Sequence, residues 1–323
     1  ITFSPLPVKT YGDADFSVSA SSNNPATPVT LASSNAAVAT VAGNTIHIAG
    51  AGSAVITASQ AGDANHTAAA DVQQTFTVNP ATQTITFAAL PVKNYGDADF
   101  GLSAGSDNPA VPVTFASSNT AVATVAGSTV HIVGAGSATI TASQAADGNH
   151  TAAADVQQTL TVNPATQTIT FAALPAKTYG DADFAISASS SNNAIPVTFV
   201  SSNTAVATIS GNTIHIVGAG STIITASQPG DANHSAALSV QQMLNVSPVG
   251  GTVITFNTLP VKTFGDADFT ISTSSSNSAV PVTYSSSNTT VATISGNTVH
   301  IVSAGTSIIT ASQAGDVNHT AAA

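Results

Sequence analysis

The sequence has no cysteine, no tryptophan, no arginine and no glutamate. Without cysteine there is no disulfide framework, no thiolate zinc site and no iron–sulfur cluster. Without glutamate there is no H-E-x-x-H metalloprotease motif. The only basic side chains are 4 lysines, set against 15 aspartates, for a net charge of −11. Nucleic-acid binding needs several basic residues on one surface, so it is excluded, as is attraction to an anionic membrane surface. No apolar run approaches the length of a membrane span, which speaks against direct insertion. Ile1 does not open a signal peptide, so the chain is expected to be a mature, processed or excerpted segment.

Charged residues make up only 6% of the chain, against roughly 25% in an ordinary soluble domain. Disorder is nevertheless not expected. Apolar residues reach 43%, and they fall in alternating runs rather than being diluted.

What the chain does have is repetition. The string ITF opens a block at Ile1, Ile85, Ile169 and Ile254, an interval of 84 or 85 residues. Each block continues through ITFxxLPxK, [YF]GDADF, PVT, SSN, VAT, GxT[IV]HI, ITASQ and NH[TS]A. A period of this size suits one small domain rather than a solenoid repeat of roughly 20–45 residues. The expected domains are 1–84, 85–168, 169–253 and an incomplete 254–323. The segment Asp71–Asn79 (DVQQTFTVN) has counterparts at Asp155 and Ser239, and none in the fourth block. The chain is therefore read as an excerpt of a longer array. Strand borrowing from another chain is the competing explanation, and the count disfavours it, because no donor strand is spare.

Within the first block, Phe16–Ala20 alternates apolar and polar residues, the period of a half-buried strand. Further strands are expected at Ile1–Phe3, Pro28–Ala32, Val38–Val41, Thr45–Ala49, Ala54–Ser59 and Val72–Val78. Turn residues such as Gly12-Asp13, Gly43-Asn44 and Gly62-Asp63 separate them. Leu6-Pro7 should bend the first strand, since proline cannot donate to a ladder. About seven short strands and no helical period predict an all-β chain: four tandem immunoglobulin-like β-sandwiches of two packed antiparallel sheets, the last lacking its final strand.

The run SSNAAVATVAGNTIHIAGAGSAVITAS (Ser33–Ser59) resembles the group-2 bacterial immunoglobulin-like domains of invasin- and intimin-type adhesins. The preceding LPVKTYGDADF (Leu6–Phe16) is similar to tandem repeats of large bacterial surface proteins. The resemblance runs over the whole chain, four times. It implies an extracellular, cell-surface stalk, spacer or fibre, adhesin-like and not an enzyme. Its partners would be neighbouring repeats of the same long chain, with lateral or filament self-association through poorly protected edges. The alternative function is a glycan- or surface-binding module acting through the Asn/Asp-rich pole loops, for example at Asn23, Asn108 and Asn192.

Two recurring acidic sets are candidate ion ligands. The first is Asp13 and Asp15, repeated as Asp97 and Asp99, Asp181 and Asp183, and Asp266 and Asp268. The second is Asp63 with Asn65, repeated as Asp147 with Asn149, Asp231 with Asn233, and Asp316 with Asn318. Alternating strand direction puts the first set at the C-terminal pole of a domain and the second at the N-terminal pole of the next. The two could meet at each joint and hold Ca²⁺, which favours oxygen ligands in flexible loops. The competing reading is turn-forming Asp and Asn on a solvated rim, with no cofactor required. His47, His131, His215 and His300 should point outward from a strand, while His66, His150, His234 and His319 lie in a loop. Lys9, Lys93, Lys177 and Lys262 read as solvated strand-end residues. The first two linkers carry Pro-Ala-Thr-Gln-Thr, whereas the third, Ser247–Thr252, is one residue longer and holds Gly250-Gly251. It is expected to bend most.

Overall fold

The computed structural model describes residues 1–322, in two compact units, Ile1–Ala165 and Thr166–Ala323. No helix occurs among the described residues. Each repeat carries its own hydrophobic cluster, so every repeat is a separately cored sandwich.

The first repeat sets the pattern. Its strands are Thr2–Phe3 (β1), Lys9–Thr10 (β2), Phe16–Ser17 (β3), Ala20–Ser21 (β4), Thr30–Ser33 (β5), Ala39–Ala42 (β6), Thr45–Ile48 (β7), Gly52–Ser59 (β8) and Val72–Asn79 (β9). One sheet has the order β2-β9-β8-β5 and the other β3-β7-β6, with β1 paired to β4. The long hairpin β8–β9 keeps Ala54 opposite Phe76 and Gly52 opposite Val78. Period-two alternation then turns Ala54, Ile56 and Ala58 inward with Phe76 and Val78. They meet Ile46 and Ile48 of β7 from the other layer. Gly43 has φ +60° in the two-residue turn between β6 and β7, the conformation that a glycine-first hairpin turn requires.

Two sequence expectations change. Phe16–Ala20 is not one strand: Phe16–Ser17 pairs with β7, whereas Ala20–Ser21 pairs with β1. The sheets are also not purely antiparallel, because β2 runs parallel to β9, with Lys9 opposite Val78. Pro5 and Pro7 cannot donate to a ladder, so the first segment leaves one layer after Phe3 and joins the other at Lys9. The expected bend at Leu6-Pro7 is thus a change of sheet.

The fourth repeat keeps Phe269–Thr270, Ala292–Ser295 and Thr298–Ile301 as a three-stranded sheet. Thr283–Ser286 pairs with a shortened Ile309–Ser312. With no counterpart of β9 to pair with, Val261–Thr263 forms no strand. An open groove lined by Leu259, Phe264, Val291, Ile301 and Ile309 lies there instead.

Candidate functional site

One set of polar residues that recurs in every repeat gathers around a buried glutamine. The inward register of Ile56 and Ala58 continues to Gln60, which is 5% exposed. Its Nε2 donates to the carbonyls of Asn24 (2.8 Å) and Thr27 (2.6 Å), and Ser22 Oγ donates to its Oε1 at 2.6 Å. Gln144 and Gln228 make the same set, and Gln313 repeats it with Ser275, Asn277 and Val280. Every buried side-chain polar atom among the described residues has a partner. A buried polar group needs such partners to avoid a desolvation penalty.

The acidic loop is built on this platform. Asp63 Oδ1 accepts the backbone N–H groups of Asn65 and His66, each at 2.8 Å, while Asn24 Nδ2 donates to Oδ2 at 2.9 Å. The Asn24 amide, with the Asn65 N–H next, holds the Asp63 carboxyl down at about 2. Asp231 is held at about 2, chiefly by the Asn233 N–H, and Asp316 at about 2, chiefly by the His319 ring. Asp147 lies well below the usual carboxylate range, chiefly through Asn108. Each of these aspartates folds the loop that presents the following Asn and His.

That loop is what closes a joint. In the unit Ile1–Ala165, Asn149 Oδ1 accepts the backbone N–H of Ala51 in the preceding repeat at 2.8 Å. The linker residue Ala81 donates its N–H to the Asn149 carbonyl (2.9 Å) and accepts from the Thr151 N–H (2.8 Å), a rung of parallel pairing with His150. The His150 ring stands edge-on to Tyr11, with centroids 5.3 Å apart. Gly50 permits this approach, because a Cβ there would lie 2.5 Å from the Ala37 carbonyl oxygen and 3.1 Å from Asn149 Oδ1. The linker is then locked into the second repeat. Gln83 Nε2 donates to the Ala145 carbonyl at 2.7 Å, and Gln83 Oε1 accepts from Asn108 Nδ2 at 2.7 Å.

The unit Thr166–Ala323 closes its joint in the same way. Asn318 Oδ1 accepts from the Ala219 N–H at 2.8 Å, Val249 pairs with His319, and Tyr179 meets the His319 ring at 5.7 Å. The linker holding Gly250-Gly251 therefore makes the same kind of docking contacts as the first. Its extra residue is taken up where Gly251 has φ +75°. Thr252 replaces the glutamine, donating from Oγ1 to the Thr320 carbonyl at 2.6 Å.

The candidate ion ligands divide between these roles. Asp13, Asp97, Asp181 and Asp266 each cap their own turn, accepting the N–H of Thr10, Asn94, Thr178 and Thr263. Asp15, Asp99, Asp183 and Asp268 each meet a strand histidine. Asp147, Asp231 and Asp316 hold their own loops, and Asn149 and Asn318 close joints. At the joint, Tyr11 beside the first loop meets His150 of the second. No group of three or more His or Asp converges among the described residues.

The lysines sit over aromatic rings, Lys9 over Phe16 at 5.1 Å and Lys177 over Phe184 at 4.5 Å. Asn24, Asn108 and Asn192 are buried, with Nδ2 donated to Asp63, Asp147 and Asp231. Of the three asparagines expected to mark a binding loop, Asn108 and Asn192 are thus occupied within the fold, whereas Asn23, next to buried Asn24, is exposed. Sequence reasoning missed the glutamines. For Gln60 the signal was present, since ITASQ places it on the inward register.

No protein-family model matches the chain, and no curated protein matches it. Solved structures similar to it are built of repeated extracellular β-domains. A protocadherin gammaB7 EC3–6 cis-dimer structure is 10% identical over 93% of this chain and 91% of that one, with a TM-score of 0.35. Sidekick-1 immunoglobulin domains 1–5 are 11% identical over 94% and 77%, at 0.28. Surface layer protein SbsC, domains 1–6, is 18% identical over 99% of this chain and 50% of that chain, at 0.24. The fold class itself rests on the strand pairing: this is an all-β chain of tandem immunoglobulin-like sandwiches.

Proposed function

We propose that the chain is the repeat region of an extracellular bacterial surface protein, adhesin-like, and acts there as a structural stalk, spacer or fibre segment. The carrying observation is the joint. One asparagine per docked repeat, Asn149 or Asn318, caps a backbone N–H of the repeat before it, and the linker pairs with the same loop. The polar loop at the pole of the second and fourth repeats is thus spent on holding the repeat before it. Tension along the chain would enter a complete repeat at β1–β2 and leave at β9. Because β2 and β9 are adjacent and parallel, their hydrogen bonds would be loaded together, in shear.

Single-molecule pulling of the full chain tests this reading. The expected trace has separate unfolding peaks from the three complete repeats and a weaker event from the fourth. A single low-force transition would overturn it. Protease treatment of intact host cells checks the location, since a surface stalk is released and an internal protein is not.

A further inference from the structure

The third repeat departs from the first two on the outer face of its long hairpin. Strands Gly220–Ser227 and Val240–Ser247 place Ile223 directly opposite Met243. Period two turns both away from the core, where Ile224 and Leu244 are buried. Val200, on the neighbouring strand Thr198–Ser201 and opposite Thr225, shares this outer face. Val200, Ile223 and Met243 are 63%, 37% and 58% exposed. The same places hold Ala32, Val55 and Thr75 in the first repeat and Ala116, Thr139 and Thr159 in the second. Ser239, just before the last strand, stands where those repeats have Asp71 and Asp155. The third repeat thus presents a larger apolar strip than either, with one charge fewer beside it.

Met243 carries the only sulfur in the chain, which has neither cysteine nor tryptophan. Its thioether is soft and polarizable, and it faces solvent. A polar group at this place is compatible with the sandwich, because Thr75 and Thr159 fill it with the same cross-strand register. We propose that Met243 is a modification site for hydroperoxide-class oxidants, and that its sulfoxide switches this face from apolar to polar while the sandwich stays intact. The sulfur lone pair attacks a peroxide oxygen. An S–O bond forms as the O–O bond breaks, the sulfur is oxidised by two electrons, and hydrogen peroxide is reduced to water. The product is a polar, chiral sulfoxide, which reductases return to the thioether. It stands across from Ile223 and touches none of the joints described above.

Hydrogen peroxide treatment of the full chain tests this. The intact mass should rise by one oxygen atom and stop there, with peptide mapping placing the oxygen on Met243. Methionine sulfoxide reductase should remove it. The oxidised chain should elute earlier from a hydrophobic-interaction column than the untreated chain. Its position should approach that of Met243→Thr, which carries the residue of the first two repeats. Met243→Leu should gain no oxygen and should keep its late elution in peroxide. Melting of the oxidised chain should match that of the untreated chain, a readout that needs no variant to fold. Failure to take up oxygen, uptake by Met243→Leu, unchanged elution on oxidation, or a lowered melting transition would each overturn the proposal.

Discussion

The first and fourth repeats share most of their sequence and differ in the strand that closes the sandwich. In the first, ten residues form the buried cluster, including Phe76 and Val78 of β9. In the fourth, only Ile271, Ala292 and Val299 do. The loss spreads beyond the missing side chains. Without a β9 counterpart the Lys262 segment has nothing to pair with, the β8 counterpart shortens, and Ile308 and Phe264 stand 68% and 63% exposed. The three-stranded sheet survives, because its ladder closes on itself. One sheet of the sandwich is locally determined, and the other depends on its last strand.

The sharpest way to break this comparison is to supply the strand. Appending DVQQTFTVN after Ala323 should convert the fourth repeat to the state of the first, with Lys262-Thr263 entering a parallel ladder. Burying two apolar side chains should contribute roughly 3–6 kcal/mol. Hydrogen exchange at Thr283–Ser286 and Ile309–Ser312 should slow to the level of Thr30–Ser33 and Gly52–Ser59. Unchanged exchange would mean that the difference between the repeats has another origin. The converse experiment is Phe76→Ala. It empties the centre of the first cluster and should cost about 3–5 kcal/mol, seen as a separate, lower melting transition.

The comparison also marks what could be read from sequence. The inward register of Ile46, Ile56 and Phe76 and the outward histidines follow from period-two alternation. The two-residue strand β2 does not, because a strand so short has no period and exists only through its partner β9. The pole network was half legible. Gln60 continues an inward register, but the pairing of Asn149 with Ala51 joins residues from different repeats, and nothing local encodes it. The aspartates were legible as loop residues. Which group each one serves depends on neighbours brought by the fold: Asp13 a backbone N–H, Asp15 a histidine, Asp147 its own loop.

The poles offer a second comparison within one chain. His150, docked against Tyr11, is 21% exposed, whereas His66 is 58% exposed. Asn149→Ala removes the bond to the Ala51 N–H and should weaken the coupling between the first two repeats by about 1 kcal/mol. The readout is faster proteolysis at Asn79–Thr84, with melting of each repeat unchanged. Asn65→Ala, the same substitution at the undocked pole, should do nothing measurable. Equal effects at both positions would show that Asn149 acts within its own loop rather than across the joint.

The smallest effect is set by acid. Asp63 and Asp316 are both held at about 2, one at the undocked pole and one at a joint. An unfolded aspartate titrates near 3.9, so the folded state favours the charged form. The stability this gives is complete above about pH 4 and is lost as pH falls through about 2. Melting temperatures should therefore not change between pH 5 and 7 on account of these groups, and should decline below pH 4. Carboxyl ¹³C titration should place both aspartates in the same low window, because the donors that depress them, first the Asn24 amide at Asp63 and the His319 ring at Asp316, belong to their own repeats. Asn24→Ala removes the largest of those donors at the first pole and should raise the Asp63 midpoint while leaving Asp316 unmoved. If Asp316 alone titrated low, docking rather than the loop would be the source of the depression.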